Sequence, residues 1–191
     1  MKTKQIIILT LLAILVSSCC WGVRDTYVAL TEAQKQLIPY EKGQVISFIN
    51  WNGQIADITV TENKVEWSPR MRDGSAFCST YYKYEIKTVV LKWEASNFFE
   101  IRLVLFGPLN FHINIGYGSQ SRFSLPFDTE GVPFATNSVS LLDSIEINGK
   151  VYYDIVVQKR TNGTPWQLFY NTTYGILQIK MDGRNFLMLN H

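Results

Sequence analysis

Three turn dipeptides constrain what this chain can fold into. Asn52-Gly53, Asn148-Gly149 and Asp182-Gly183 each lie between two runs of alternating apolar and polar residues: 44–50 and 54–63, 143–147 and 151–158, 176–181 and 185–189. Asn-Gly and Asp-Gly favour the positive φ angles of tight hairpins, and connections this short leave no room for a helical crossover. Each pair of runs is therefore expected to form antiparallel neighbours. The stretches 81–93 and 98–106 flank Glu94-Ala95-Ser96-Asn97 as a fourth hairpin, with further strands at 111–115 and 166–170.

Side-chain alternation assigns faces to these strands. Phe99, Ile101, Leu103 and Leu105 share one side while Glu100 and Arg102 take the other; Phe111, Ile113 and Ile115 oppose His112 and Asn114. Strands of this kind pack one face on a core and turn the other to water. In 81–93 the apolar parity changes, from Tyr82, Tyr84 and Ile86 to Val89, Leu91 and Trp93, which calls for a bulge or a change of sheet near Thr88. Asp154 opposes the face of Tyr153, Ile155 and Val157, and Glu85 lies between Lys83 and Lys87, so both carboxylates read as solvated. Gly, Ser and Pro in 116–133 mark a long loop. Helical signals are confined to the start of the domain, where Thr31-Glu32-Ala33-Gln34 forms a capping box for a short helix from Thr31 to about Leu37, stopped by Pro39. The expected fold is all-β: an antiparallel meander forming a sandwich or a curved barrel or half-barrel, with one short N-terminal helix.

The N-terminus carries an address. Lys2 and Lys4 precede the apolar run 6–16, which is too short to span a bilayer and describes an export signal. Leu15-Val16-Ser17-Ser18-Cys19 resembles a bacterial lipobox, in which the cysteine is acylated and becomes the new N-terminus. Lipidation is thus expected at Cys19, with Cys20 as the alternative, and two or three acyl chains would anchor the protein stably. The organisation that follows is a lipoprotein signal peptide at 1–18, a tether at 19–29 and a single β-rich domain at 30–191. Cys20-Trp21-Gly22-Val23-Arg24 follows the modified cysteine without early acidic residues, which favours the periplasmic face of the outer membrane.

Lys2 and Lys4 also account for the net charge of +2, so the mature chain is neutral. It has no basic block for nucleic acid and no polybasic segment for anionic lipid. The aromatics, 5 Trp, 10 Tyr and 11 Phe, all follow the signal, and many stand beside β-branched residues, as pleated half-buried surfaces favour. In an oxidising periplasm Cys20 and Cys78 either pair or leave Cys78 as a buried free thiol.

Leu30-Thr31, Gln34-Lys35, Leu37-Ile38-Pro39-Tyr40 and Gly43-Gln44, together with Tyr152-Tyr153-Asp154, Phe169-Tyr170-Asn171 and Tyr174-Gly175-Ile176-Leu177 ahead of Gly183, resemble a group of uncharacterised small lipoproteins from Bacteroidota. The resemblance spans nearly the whole mature chain. It implies a lipobox and a β-rich domain, and brings no activity, cofactor or catalytic residue.

Catalytic constellations are sparse. His112 and His191 occur without HxH, HExxH or CxxC spacing, so neither a metal nor another cofactor is expected. No Gly-x-Ser-x-Gly elbow is present, Gly116-Tyr117-Gly118-Ser119 opens no helix, and nothing activates Cys78 as a nucleophile toward His112. Asp57, Glu66, Glu100, Asp128, Glu130 and Asp154 form the pool from which a glycosidase pair would have to come. Asn162 and Asn171 begin glycosylation sequons that turn chemistry explains equally well. Trp51, Trp67, Trp93 and Trp166 could build a sugar-stacking platform, with Trp51 and Trp67 as the candidate binding residues, and Trp51 is the more telling because a large ring in a hairpin turn has little core to join. Three functions follow: a non-catalytic envelope protein binding a protein or glycan partner, a carrier of a small apolar ligand in a barrel cavity, and an envelope glycan hydrolase.

Overall fold

Alternation produces strands almost throughout. The computed structural model describes residues 24–73, 80–95, 99–107, 110–116, 121–160 and 165–190. Its elements are β1 (Arg24–Val28), α1 (Glu32–Gln36), β2 (Val45–Asn50), β3 (Ile55–Trp67), β4 (Met71–Asp73), β5 (Thr80–Trp93), β6 (Glu100–Phe106), β7 (Asn110–Gly116), β8 (Ser121–Leu125), β9 (Val139–Ile147), β10 (Lys150–Arg160), β11 (Trp166–Asn171), β12 (Gly175–Met181) and β13 (Arg184–Leu189). The protein is all-β, mostly antiparallel, with the one expected short helix.

The main sheet has the order β8-β7-β6-β5-β3-β2-β13-β12-β11-β10-β9. Two meanders, one from each half of the chain, are joined where β13 pairs with β2. The sheet curls until its halves face each other: Phe111 of β7 meets Tyr170 of β11 with ring centroids 5.3 Å apart. Near its ends, the Ser124 N–H of β8 donates to Gln158 Oε1 of β10 at 2.7 Å.

Register aligns the apolar faces into rows. Val89, Leu103, Ile113 and Phe123 follow one another across β5, β6, β7 and β8, as do Leu91, Ile101 and Ile115. All seven are buried in one continuous hydrophobic cluster. At about 1.5–3 kcal/mol for each large apolar side chain removed from water, such rows dominate the stability of the sheet. Hairpins close at all three turn dipeptides. Asn148 and Gly149 have φ of 50° and 79°, Asp182 and Gly183 51° and 73°, the paired left-handed geometry that matches strand twist. The turn at Asn52-Gly53 instead has positive φ only at Gly53, and β5 pairs with β6 as the fourth hairpin requires.

Several expectations are corrected. Arg24–Val28 lies in the range assigned to the tether, yet it forms β1, which runs parallel to β5 from Arg24↔Thr80 to Val28↔Tyr84. Together with β4 on the other side of β5, it makes a small sheet, so β5 changes partners at about Tyr84 and not near Thr88. The bulge lies in β3, between Val60 and Glu62. The stretch 116–133 is not one loop: Phe123 and Leu125 alternate with Arg122 and Ser124 to form β8, and a bridge joins Phe127 to Pro133. In β10 a positive φ at Asp154 interrupts alternation, which leaves Tyr153 exposed while Ile155 and Val157 are buried. Asp154 itself is exposed, as expected.

Glu85 is not solvated, because α1 packs over it. Its Oε2 accepts from the Leu30 N–H at 2.8 Å and its Oε1 lies 3.3 Å from Lys35 Nζ. Lys87 shares the inward row of Leu105, Phe111 and Leu125 and donates to the Lys35 and Ile38 carbonyls where the helix ends. Burial lowers its pKa, with Glu32 opposing and Lys35 adding to the shift. The capping box closes as expected, with Thr31 Oγ1 accepting from the Gln34 N–H at 3.1 Å and Gln34 Oε1 from the Thr31 N–H at 2.8 Å. From the opposite wall, the Tyr170 hydroxyl donates to the Leu37 carbonyl. Helix α1 therefore plugs one end of the rolled sheet and leaves the other end to the hairpin turns.

Candidate binding cleft

The end away from α1 is built from aromatics. Asn50, buried at the end of β2, accepts from the backbone N–H groups of Asn52 and Gln54 through Oδ1, at 2.9 and 3.0 Å. These bonds fix the turn that carries Trp51. The Trp51 ring stacks on Phe186 of β13 at 5.1 Å and 16°, and meets Trp93 edge-on at 6.0 Å. Phe99 and Trp166 contact the same Phe186 at 5.5 Å each. Phe186 is buried, whereas Trp51 remains 48% exposed. With one ring face on Phe186, the other is available to a ligand.

Beside this stack lies an open cleft of about 800 Å³. Trp51, Trp166, Met181 and Phe186 supply apolar wall, while Asn52, Asp182, Arg184 and Asn185 supply polar groups. Its size is within the range of about 300–1,000 Å³ typical of ligand sites, and so is its composition of apolar surface with a few polar groups. Strand register sets part of this wall: Arg160, Trp166, Met181 and Arg184 lie directly opposite one another across β10 to β13. Asn185 is oriented by accepting from Gln178 Nε2 at 2.9 Å. A second depression, beside α1, includes Lys87, whose ammonium is already committed to the helix carbonyls.

Trp67, the other candidate binding residue, does not join Trp51. The thirteen residues of β3 separate them, about 40 Å at ~3.3 Å per residue. Trp67 instead packs edge-on against Tyr27 of β1 at 5.4 Å. Trp93 and Trp166, the other two tryptophans of the platform expected from sequence, do join the Trp51 cluster, and Phe186, absent from the sequence-based candidates, is the ring that links them. The carboxylate pool is dispersed among other partners: Asp57 accepts from Ser47, Glu66 pairs with Lys64, Glu100 with Arg102 and Lys92, and Asp128 caps the turn at Glu130 and Val132. Among the described residues Asp182 is the one carboxylate lining the cleft. His112 lies on the outer face of β7 with Nδ1 2.9 Å from Ser124 Oγ, and burial first, then Arg122, lowers its pKa.

Cys19, Cys20, Cys78, Asn162 and His191 lie outside the described residues. Asn171 is buried and performs turn chemistry, its Oδ1 accepting from the Thr173 and Tyr174 N–H groups at 2.7 and 2.9 Å. Among the described residues no three His, Cys, Asp or Glu side chains gather as a metal site, and no helix is long and apolar enough to cross a membrane. The chain matches no family model, no curated protein and no solved structure.

Proposed function

We propose that this is a lipid-anchored envelope protein whose β domain binds a glycan, free or carried on a protein partner, without transforming it. The Trp51–Phe186 stack beside the cleft carries this reading. An aromatic face with amide, carboxylate and guanidinium groups around it suits a ligand that is apolar on its C–H faces and polar at its hydroxyl edges, as a sugar ring is. Among the described residues a single carboxylate lines the cleft, less than the pair that glycoside hydrolysis ordinarily uses, and this favours binding over cleavage. The carrier reading needs an interior cavity, whereas Phe48, Leu91, Leu103, Phe111 and Tyr170 fill the centre of the sheet and direct a ligand to its mouth. Anchoring rests on the lipobox and on the resemblance to small Bacteroidota lipoproteins, and the lack of early acidic residues after Cys19 favours the periplasmic face of the outer membrane.

Two measurements on the anchored protein test the proposal. Labelled palmitate should enter the wild-type chain and not Cys19→Ala; undiminished labelling of that variant would transfer the role to Cys20 or remove it. Recovery from the native envelope should yield a co-purifying glycan or glycoprotein with the wild type and much less with Trp51→Ala. A co-purifying lipid would favour the carrier instead.

A further inference from the structure

The end of the fold opposite the cleft exposes apolar side chains that packing does not require. Tyr27 is 58% exposed, Trp67 46% and Val65 44%. The three lie on one face, because Tyr27 pairs with Lys83, Trp67 with Glu85 and Val65 with Lys87, alternate residues of β5. The edge-on Tyr27–Trp67 contact fixes both rings, and Lys83 Nζ lies 5.5 Å from the centre of the Tyr27 ring. Arg70 is ion-paired with Asp25, while Lys64 makes its pairs with Glu62 and Glu66 on the opposite face of β3. Large amphipathic rings flanked by basic stems are the side chains that settle at a membrane–water interface.

Chain length identifies what covers this face. β1 begins at Arg24, five residues beyond Cys19, and five residues reach at most about 17–18 Å even fully extended. Resting on the proposed acylation of Cys19, we infer that the Tyr27–Trp67 face is a membrane-docking surface that seats in the headgroup region of the anchoring bilayer. The Trp51 cleft lies at the other end of β3, about 40 Å of strand away from Trp67, and so stays clear of the docked face. Docking to a zwitterionic surface depends on ring insertion, because Arg70 is ion-paired with Asp25 and Lys83, over the Tyr27 ring, meets no anionic lipid there.

The test uses full-length acylated protein in phosphatidylcholine vesicles carrying a lipid brominated near the headgroup end of one acyl chain, in a Trp21→Phe background so that the residue beside the anchor does not emit. Bromine should quench part of the tryptophan emission, and adding Trp67→Phe should abolish most of that quenchable part. The quenching should be the same at low and at high salt. Incorporated, acylated protein whose quenching is unchanged by Trp67→Phe would overturn the docking surface while leaving the anchor intact, as would quenching that disappears at high salt. Protein that takes up no palmitate and does not enter vesicles would remove the anchor and the docking surface together.

Discussion

Gly175→Ala is the substitution that most severely tests the packing at the plugged end. Gly175 opens β12 at φ 78°, a region that costs an L-residue about 1–2 kcal/mol. An added Cβ would overlap the hydroxyl and Cζ of Tyr40 and lie 2.8 Å from its Cε1. Tyr40 is buried, and its hydroxyl accepts from the Ile176 N–H at 2.6 Å, so the ring cannot retreat without leaving that amide unpaired. Burial raises the Tyr40 pKa well above the ordinary phenol value, so the group remains a neutral hydroxyl at physiological pH. An orphaned buried amide costs about 1–3 kcal/mol. The total is about 2–5 kcal/mol, or roughly 4–20 °C in Tm for a domain of this size. Gly183→Ala is the matched control: its φ is 73°, but its Cβ would meet nothing within 4 Å. It should lose only the backbone contribution of about 1–2 kcal/mol. Urea denaturation of both variants, with equal m-values, isolates the Tyr40 contact as the difference. Equal losses in the two would refute the argument that the close approach of Tyr40 demands glycine.

Lys87→Met should destabilise by about 1–3 kcal/mol, read from the denaturation midpoint, because it removes the donor to the Lys35 and Ile38 carbonyls while retaining the aliphatic stem. No loss would mean that α1 is held without it. The depressed His112 pKa favours the neutral ring in the folded state, so its contribution is complete above the unfolded value of about 6.5 and is lost as pH falls through the lower folded value. Wild type measured against His112→Gln should therefore show a constant stability difference above neutrality and a relative loss for the wild type on acidification; a difference that stays flat through that acidic range would contradict the assignment.

Local chemistry was legible where it acts within a few residues. The Thr31/Gln34 capping box and the Asn148-Gly149 and Asp182-Gly183 turns require only their own side chains and φ angles, and the one-sided strands β6 and β7 carry their core face in their parity. β1 and β8 were hidden because each is defined by its partner: Arg24–Val28 becomes a strand only against the start of β5, and Ser121–Leu125 only against β7. Glu85 read as a solvated carboxylate between Lys83 and Lys87, although the parity that Glu85 and Lys87 share with Val89 and Leu91 carried a signal of an inward position. What parity does not carry is that α1, some fifty residues earlier, returns to cover both. The cleft was half legible for the same reason. Trp51 stood out as a bulky ring in a turn, but its convergence with Phe186 and Trp166 depends on the pairing of β2 with β13 across most of the chain length.

The central claim is that the Trp51 cleft binds a glycan, and the most direct measurement is a fluorescence or calorimetric titration of the intact protein with oligosaccharides released from the envelope. Losing an aromatic anchor at a binding site typically costs about 1–3 kcal/mol, a factor of about 5 to 150 in affinity. Binding by the wild type should be saturable, weakened to that extent in folded Trp51→Ala and left unchanged by Trp67→Phe at the opposite end of β3. Saturable binding that survives Trp51→Ala undiminished, or that is lost with Trp67→Phe, would contradict the claim.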